Sequence, residues 1–135
     1  MSDAAKTPPR PLSPHLQVWR WHVTMACSIL HRASIFALYL SALLLAGWAL
    51  ALAAGLSAYQ GYLAIVGSPL GLLVLFGLTV MLLFNLAYNV RQTFWDLGHG
   101  FVPKTADATG LLCIAFGVIG AVLVWGAAVS MGAFG

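Results

Sequence analysis

Charge is nearly missing from this chain of 135 residues. Only 7% of the residues are Asp, Glu, Lys or Arg, whereas ordinary soluble domains hold roughly 25%. No charged residue stands between Arg32 and Arg91. Since 61% of the residues are hydrophobic and the mean hydropathy is +0.95, the composition excludes an ordinary soluble domain and indicates an integral membrane protein.

The sequence also lacks basic clusters, cysteine motifs and a cleavable signal, and each absence argues against a class of function or site. The six basic residues form no cluster interleaved with aromatics, which argues against nucleic-acid binding. The two cysteines, Cys27 and Cys113, lack CxxC spacing, so no metal site is predicted and both are expected in the core. Because no short apolar stretch precedes a cleavable small-residue site, we expect the N-terminus to be retained.

What the chain does contain is three apolar stretches, each long enough for a span of about 20 residues. They cover residues 25–54, 69–94 and 108–133. We therefore predict an all-α fold with three transmembrane helices in one domain, residues 23–135. Residues 1–22 are predicted to form a cytoplasmic or interfacial N-terminal segment, and the uncharged residues 55–67 a short exit at the opposite membrane surface.

Basic residues lie on one side of this topology. They precede the first span, lie early in it, or lie around the connection between the second and third spans: Lys6, Arg10, Arg20, Arg32, Arg91 and Lys104. By the positive-inside rule, the N-terminus and that second connection are predicted to be cytoplasmic and the C-terminus to lie outside.

Two polar stripes interrupt the apolar spans. Stripe one, in the first span, consists of Thr24, Ser28, His31 and Arg32, which share one helix face at spacings of i, i+4, i+7 and i+8; Tyr39 continues it. An arginine in a span is usually paired or at an interface, which makes Arg32 a candidate functional residue. Either Arg32 snorkels while Ser28 bonds back to its helix, or the stripe binds an amphipathic ligand with oxygen acceptors, such as a quinone.

Stripe two lies at the end of the second span and consists of Asn85, Asn89, Gln92 and Asp96. Asn85 and Asn89 can form an interhelical hydrogen-bond seam. Asp96 beside Arg91 could both anchor that arginine and relay protons. The predicted topology brings the two stripes together near the cytoplasmic face.

This chemistry alone suits two classes of function and argues against a third. The chain could hold part of a quinone site, or it could be a non-catalytic helical subunit of another membrane complex, with the stripes as packing seams. A small transporter would show internal repeats or broken helices, and the sequence has neither. A haem with two axial histidines normally needs a deep histidine in each contributing helix, and of the four histidines only His31 lies in an apolar span.

Two motifs resemble a known family. Arg10-Pro11-Leu12, Leu16, Val23 and Ser28-x-x-His31-Arg32-x-Ser34, followed by Val90-Arg91-x-x-x-Trp95-Asp96-x-Gly98, are similar to signatures of the cytochrome b subunit of succinate dehydrogenase. The order and separation of the motifs agree, and the resemblance covers most of residues 10–104.

The resemblance implies a membrane anchor of succinate dehydrogenase in a bacterial inner membrane. Its partners would be a flavoprotein, an iron–sulfur protein and a second small anchor subunit, and the complex would pass electrons from succinate to ubiquinone. Ser28 and Arg32 match positions that bind the quinone, and Asp96 matches a carboxylate near the quinone pocket. His31 and Arg32 match positions near a haem propionate.

The second motif departs from this family at the haem. The family's axial histidine falls on Asn85, the glycine four residues later is Asn89, and the histidine after the arginine is Gln92. An asparagine amide is a poor iron ligand compared with imidazole. We therefore expect this subunit to supply no axial ligand, so that haem b is absent or is ligated from elsewhere, such as the partner anchor subunit.

Overall fold

Four α-helices make up the described part of the chain. The computed structural model describes residues 20–132 and contains α1 (Val23–Ala54), α2 (Leu56–Val66), α3 (Pro69–Asp96) and α4 (Pro103–Ser130), without a strand in that range. Of these, α1, α3 and α4 are long and apolar enough to cross a membrane. The predicted all-α fold with three spans is confirmed. The predicted N-terminal segment falls outside the described residues except for residues 20–22.

Local sequence signals explain where α3 begins and ends. Ser68 is its N-cap, whose Oγ accepts a hydrogen bond from Gly71 N at 3.1 Å, and Pro69 occupies the first turn, where its missing N–H costs nothing. At the other end, Gly98 adopts a φ of +83° and donates to Trp95 O at 2.8 Å. This left-handed conformation suits glycine and turns the chain out of the helix.

Residues 55–67, predicted as a short exit at the opposite membrane surface, are mostly helical. After a break at Gly55, where φ is +107°, they form α2, which folds back against α1. Tyr62 OH donates to Leu44 O at 2.6 Å, and its ring lies beside Gly47, where an added Cβ would come within 3.3 Å of Tyr62 Cε2. A small residue on α1 and a tyrosine on α2 therefore hold this segment as a helix.

The third span also begins earlier than predicted. Lys104, predicted around the connection, lies with Asp107 in the first turns of α4. Proline at the first helical position favours a start at Pro103 because its φ is already helical. Ala106 and Gly110 are buried, so these early turns pack against the neighbouring helices and are part of the bundle.

Glycine allows α3 and α4 to approach closely. A Cβ added at Gly117 would lie 2.9 Å from Phe84 Cβ and 3.0 Å from Val80 O. Small residues permit such close contact between membrane helices. Beside this contact, the core cluster includes Phe84 and both cysteines, of which Cys27 is fully buried and Cys113 is 5% exposed. The predicted core position of both cysteines is confirmed.

We expect Gly117→Ala to lower the free energy of unfolding by about 1–3 kcal/mol, because the methyl group would overlap the backbone of α3. Gly126→Ala is the matched control on the same helix, since no atom lies within 4 Å of a Cβ added there. That variant should be neutral or slightly stabilising. Thermal unfolding of the purified protein in detergent measures both, and equal midpoints would contradict the close approach.

Candidate functional site

Four polar side chains, which we call the seam, join α1 to α3: His31, Ser34, Asn85 and Asn89. Asn85 Nδ2 donates to Ser34 Oγ at 2.8 Å, and Asn89 Nδ2 donates to Asn85 Oδ1 at 2.8 Å. Ser34 in turn donates to the carbonyl of His31 at 2.7 Å. The ring of His31 faces α3, and its Nε2 lies 3.3 Å from Asn89 Oδ1.

The seam confirms that the two stripes meet, and that Asn85 and Asn89 form an interhelical hydrogen-bond seam. It also contains a residue that the sequence reasoning missed as a site residue. Ser34 is fully buried and accepts the bond that ties the helices together. The available signal was its position two turns after Cys27, because residues seven apart share a helix face.

The remaining predicted site residues lie near the seam without bonding to one another. Within residues 20–132, no hydrogen bond or ion pair connects Ser28, Arg32 and Asp96; Arg32 and Asp96 are exposed and Ser28 is half-buried. The pairs Ser34–Asn85 and His31–Asn89 set an antiparallel register. At 1.5 Å per residue, this register puts Asp96 about 13 Å along the helix axis from Arg32 and about 7 Å from Ser28.

Arg91, rather than Arg32, is the arginine buried in the bundle. It is 5% exposed, its Nε donates to Thr109 Oγ1 at 3.0 Å, and its Nη2 donates to Ala106 O at 2.9 Å. The guanidinium also lies 3.9 Å from the ring centroid of Trp95, a favourable cation–π distance.

The prediction that Asp96 anchors Arg91 is therefore wrong, since the described residues hold no ion pair between them. The physical reason is the early start of α4. Its first turns present the Ala106 carbonyl and the Thr109 hydroxyl to α3, and these acceptors bind the guanidinium in place of a carboxylate.

Beside Arg91, α3 and α4 enclose a groove of about 520 Å³. Its walls are largely apolar and include the rings of Phe94, Trp95 and Phe116. Ser28, Arg32 and Asp96 do not line it, so the groove and the predicted quinone residues are separate features of the chain.

We expect Thr109→Val to lower the free energy of unfolding by about 1.5–3 kcal/mol, because Nε of a buried guanidinium would lose its acceptor. Thr109→Ser is the control, since it keeps the hydroxyl. Thermal unfolding compares the two variants, and a Val variant as stable as the Ser variant would show that Arg91 does not depend on this bond.

Comparison with known proteins decides the family. The succinate dehydrogenase/fumarate reductase transmembrane subunit family matches residues 6–124. The chain belongs to this family. It is thus a membrane-anchor subunit of succinate dehydrogenase, respiratory complex II, and not the catalytic subunit of that enzyme. The resemblance drawn from the two motifs is confirmed.

Individual relatives agree with the family. The succinate dehydrogenase cytochrome b556 subunit of Rickettsia felis is 30% identical over 117 residues, which cover 86% of this chain and 90% of the relative. The corresponding subunit of Paracoccus denitrificans is 34% identical over 114 residues, 84% of this chain and 88% of the relative. The mitochondrial cytochrome b560 subunit of Mus musculus is 34% identical over 122 residues, 82% and 66% respectively.

The names of these relatives imply haem b, but α3 does not fit as a source of an axial histidine. Its residue at the family's axial position, Asn85, is 7% exposed, and both polar atoms of its amide already bond to Ser34 and Asn89. No histidine occurs in α3. Both polar atoms of the Asn85 side chain are therefore occupied by hydrogen bonds within the chain, one to α1 and one within α3.

Proposed function

We propose that this chain anchors a flavoprotein and an iron–sulfur subunit, together with a second small anchor subunit, in a bacterial inner membrane, and that it forms part of the site where ubiquinone is reduced. Family membership supports the partners, because a transmembrane subunit of succinate dehydrogenase serves the rest of that enzyme. The observation that carries the quinone site is a pair of donors on α1, Ser28 and Arg32, neither of which has a hydrogen-bond partner within residues 20–132.

Arg32 makes no hydrogen bond or ion pair within residues 20–132 and is exposed on the surface of this chain. An arginine bordering an apolar span normally has a partner or lies at an interface. Ser28, one turn earlier on the same face, adds a hydroxyl donor. Phe36 and Tyr39, which are 76% and 66% exposed, continue that face with aromatic surface. Two donors beside aromatic walls match a quinone, whose head group has carbonyl oxygens and an apolar ring.

Reduction of a quinone to a quinol takes up two electrons and two protons. In this proposal the iron–sulfur partner supplies the electrons, while Arg32 and Ser28 donate hydrogen bonds to the carbonyl oxygens. These bonds strengthen as negative charge develops on oxygen, so they favour the reduced forms. Asp96 lies about 7 Å nearer the end of the bundle than Ser28, a position from which a carboxylate can pass protons from water towards the head group.

We expect Arg32→Ala and Ser28→Ala to lower the rate of ubiquinone reduction by succinate roughly 10- to 100-fold, as the loss of one hydrogen bond worth about 1.5–3 kcal/mol implies. Succinate oxidation with a soluble dye should keep its rate, because it bypasses the quinone. Both assays are run on the purified complex.

Ser57→Ala is the matched control for the serine variant, since Ser57 is exposed on α2 at the other end of the bundle. It should leave both activities unchanged. If the Arg32 and Ser28 variants lost both activities equally, their effect would lie in assembly and the proposed quinone contacts would be wrong.

The orientation of the bundle is part of the same proposal. Helices α1 and α4 begin at one end of the bundle and α3 finishes there, so Arg20, Arg91 and Lys104 all lie towards that end. The positive-inside rule makes it the cytoplasmic end, where soluble subunits that bind the anchor would dock.

Reporter fusions test this orientation directly. A fusion at Lys104 should report the cytoplasm and a fusion at Gly135 the opposite side, because α4 crosses the membrane between them. Cytoplasmic signals from both fusions would contradict a spanning α4, and a reversed pair of signals would contradict the proposed orientation.

A further inference from the structure

We infer that the membrane-spanning helices of this chain supply no axial histidine to a haem, and that the seam uses the family's ligand position to hold α1 against α3. The inference rests on family membership and on the seam geometry. It does not depend on the proposed quinone site.

The first step concerns the ligand position itself. Asn85 is buried and donates to Ser34 while accepting from Asn89. Ser34 is fully buried, so removing Asn85 from it would leave one hydroxyl lone pair without its donor in an apolar environment, which is unfavourable. Turning Asn85 outward to a ligand would break the connection between the helices.

The second step concerns the space around that position. Asn89 stands where the family resemblance places a glycine, one turn after Asn85 on the same face. Its amide lies against Asn85, with Nδ2 2.8 Å from Asn85 Oδ1. A planar macrocycle approaching Asn85 along this face would meet the Asn89 side chain. Both departures from the family thus act together, one removing the ligand and the other filling the adjacent space.

The third step concerns the other imidazoles. Of the chain's four histidines, only His31 lies within one of the described helices; His22 is the N-cap of α1 and His99 follows the end of α3. The ring of His31 stacks on Tyr88 with 4.3 Å between centroids, and Nε2 faces Asn89. These contacts hold His31 in the seam, so it does not replace the missing ligand of α3.

Two consequences follow for the complex. Any haem b in it takes its axial histidines from outside the spanning helices of this chain, and the contact of His31 and Arg32 with a propionate of such a haem stays a prediction of the resemblance. The anchor also keeps α1 and α3 in register without haem, because the hydrogen bonds that fix the register are made by the chain itself.

The haem content of the complete complex tests the inference that the spanning helices supply no axial histidine. The complex is purified from its membrane, and haem b per flavin is measured as the pyridine haemochrome, together with the low-spin signal in electron paramagnetic resonance. We expect either no haem b or a signal unchanged in His31→Gln, which keeps an amide near Asn89. A low-spin signal lost in His31→Gln, with flavin content and subunits intact, would overturn the inference. If that variant does not assemble, His31→Asn is measured in the same way.

The stability of the complex tests the inference that the seam holds α1 against α3. We expect Asn85→Leu to lower the unfolding temperature by several degrees, and Ser34→Ala added to it to cause little further loss, because both remove the same bond. Gln92→Ala is the matched control, since Gln92 belongs to stripe two but is exposed and has no bond within residues 20–132. Fully additive losses, or an Asn85 variant as stable as the control, would overturn the seam.

These readouts separate the inference from the proposed function. Haem content and unfolding temperature are measured without turnover of quinone. A complex that fails to reduce ubiquinone but passes both tests would refute the quinone site alone. A complex that reduces ubiquinone and loses its haem signal in His31→Gln would refute this inference alone.

Discussion

The buried hydrogen bond between Asn85 and Ser34 determines how α1 and α3 lie together. In an apolar environment an amide and a hydroxyl can satisfy each other only at one relative height of the two helices. Sliding α1 by a turn would separate them at a substantial cost, because neither group would find water there. The positions of Ser28 and Arg32 relative to Asp96 depend on that height, and therefore on a bond that none of the three residues makes.

The two arginines near the charged end illustrate how neighbouring helices decide the role of one residue type. Arg91 finds a carbonyl, a hydroxyl and an aromatic ring on α3 and α4, so it is buried and links two helices. Arg32 finds no acceptor within the described residues and is exposed. Arg91 therefore holds α3 against α4, with its Nη1 left without a partner among residues 20–132, whereas Arg32 is exposed. Their sequence environments, each at the edge of an apolar run, are too alike to separate these roles.

Much of the fold followed from the sequence because composition and helix signals are local. The apolar runs predicted three spans, and helical spacing predicted that Asn85 and Asn89 form a seam. Tertiary contacts decided the rest. The folding of α2 against α1 depends on Tyr62 reaching Leu44, the burial of Arg91 depends on the first turns of α4, and Ser34 is a seam residue only because Asn85 lies opposite it. The placement of Ser28, Arg32 and Asp96 at a quinone remains a prediction.

The early start of α4 and the length of α1 together shape one end of the protein. Each spanning helix contains an uncharged stretch, residues 33–54, 69–90 and 108–130, of about 22 residues, which alone is enough to cross about 30 Å of hydrocarbon. The remaining turns of all three helices, with Arg32, Arg91 and Lys104, are therefore surplus to the crossing and lie at the same end. These turns give the bundle one end that is charged and longer than a crossing requires. A subunit binding at that end would contact helix surface and charged side chains.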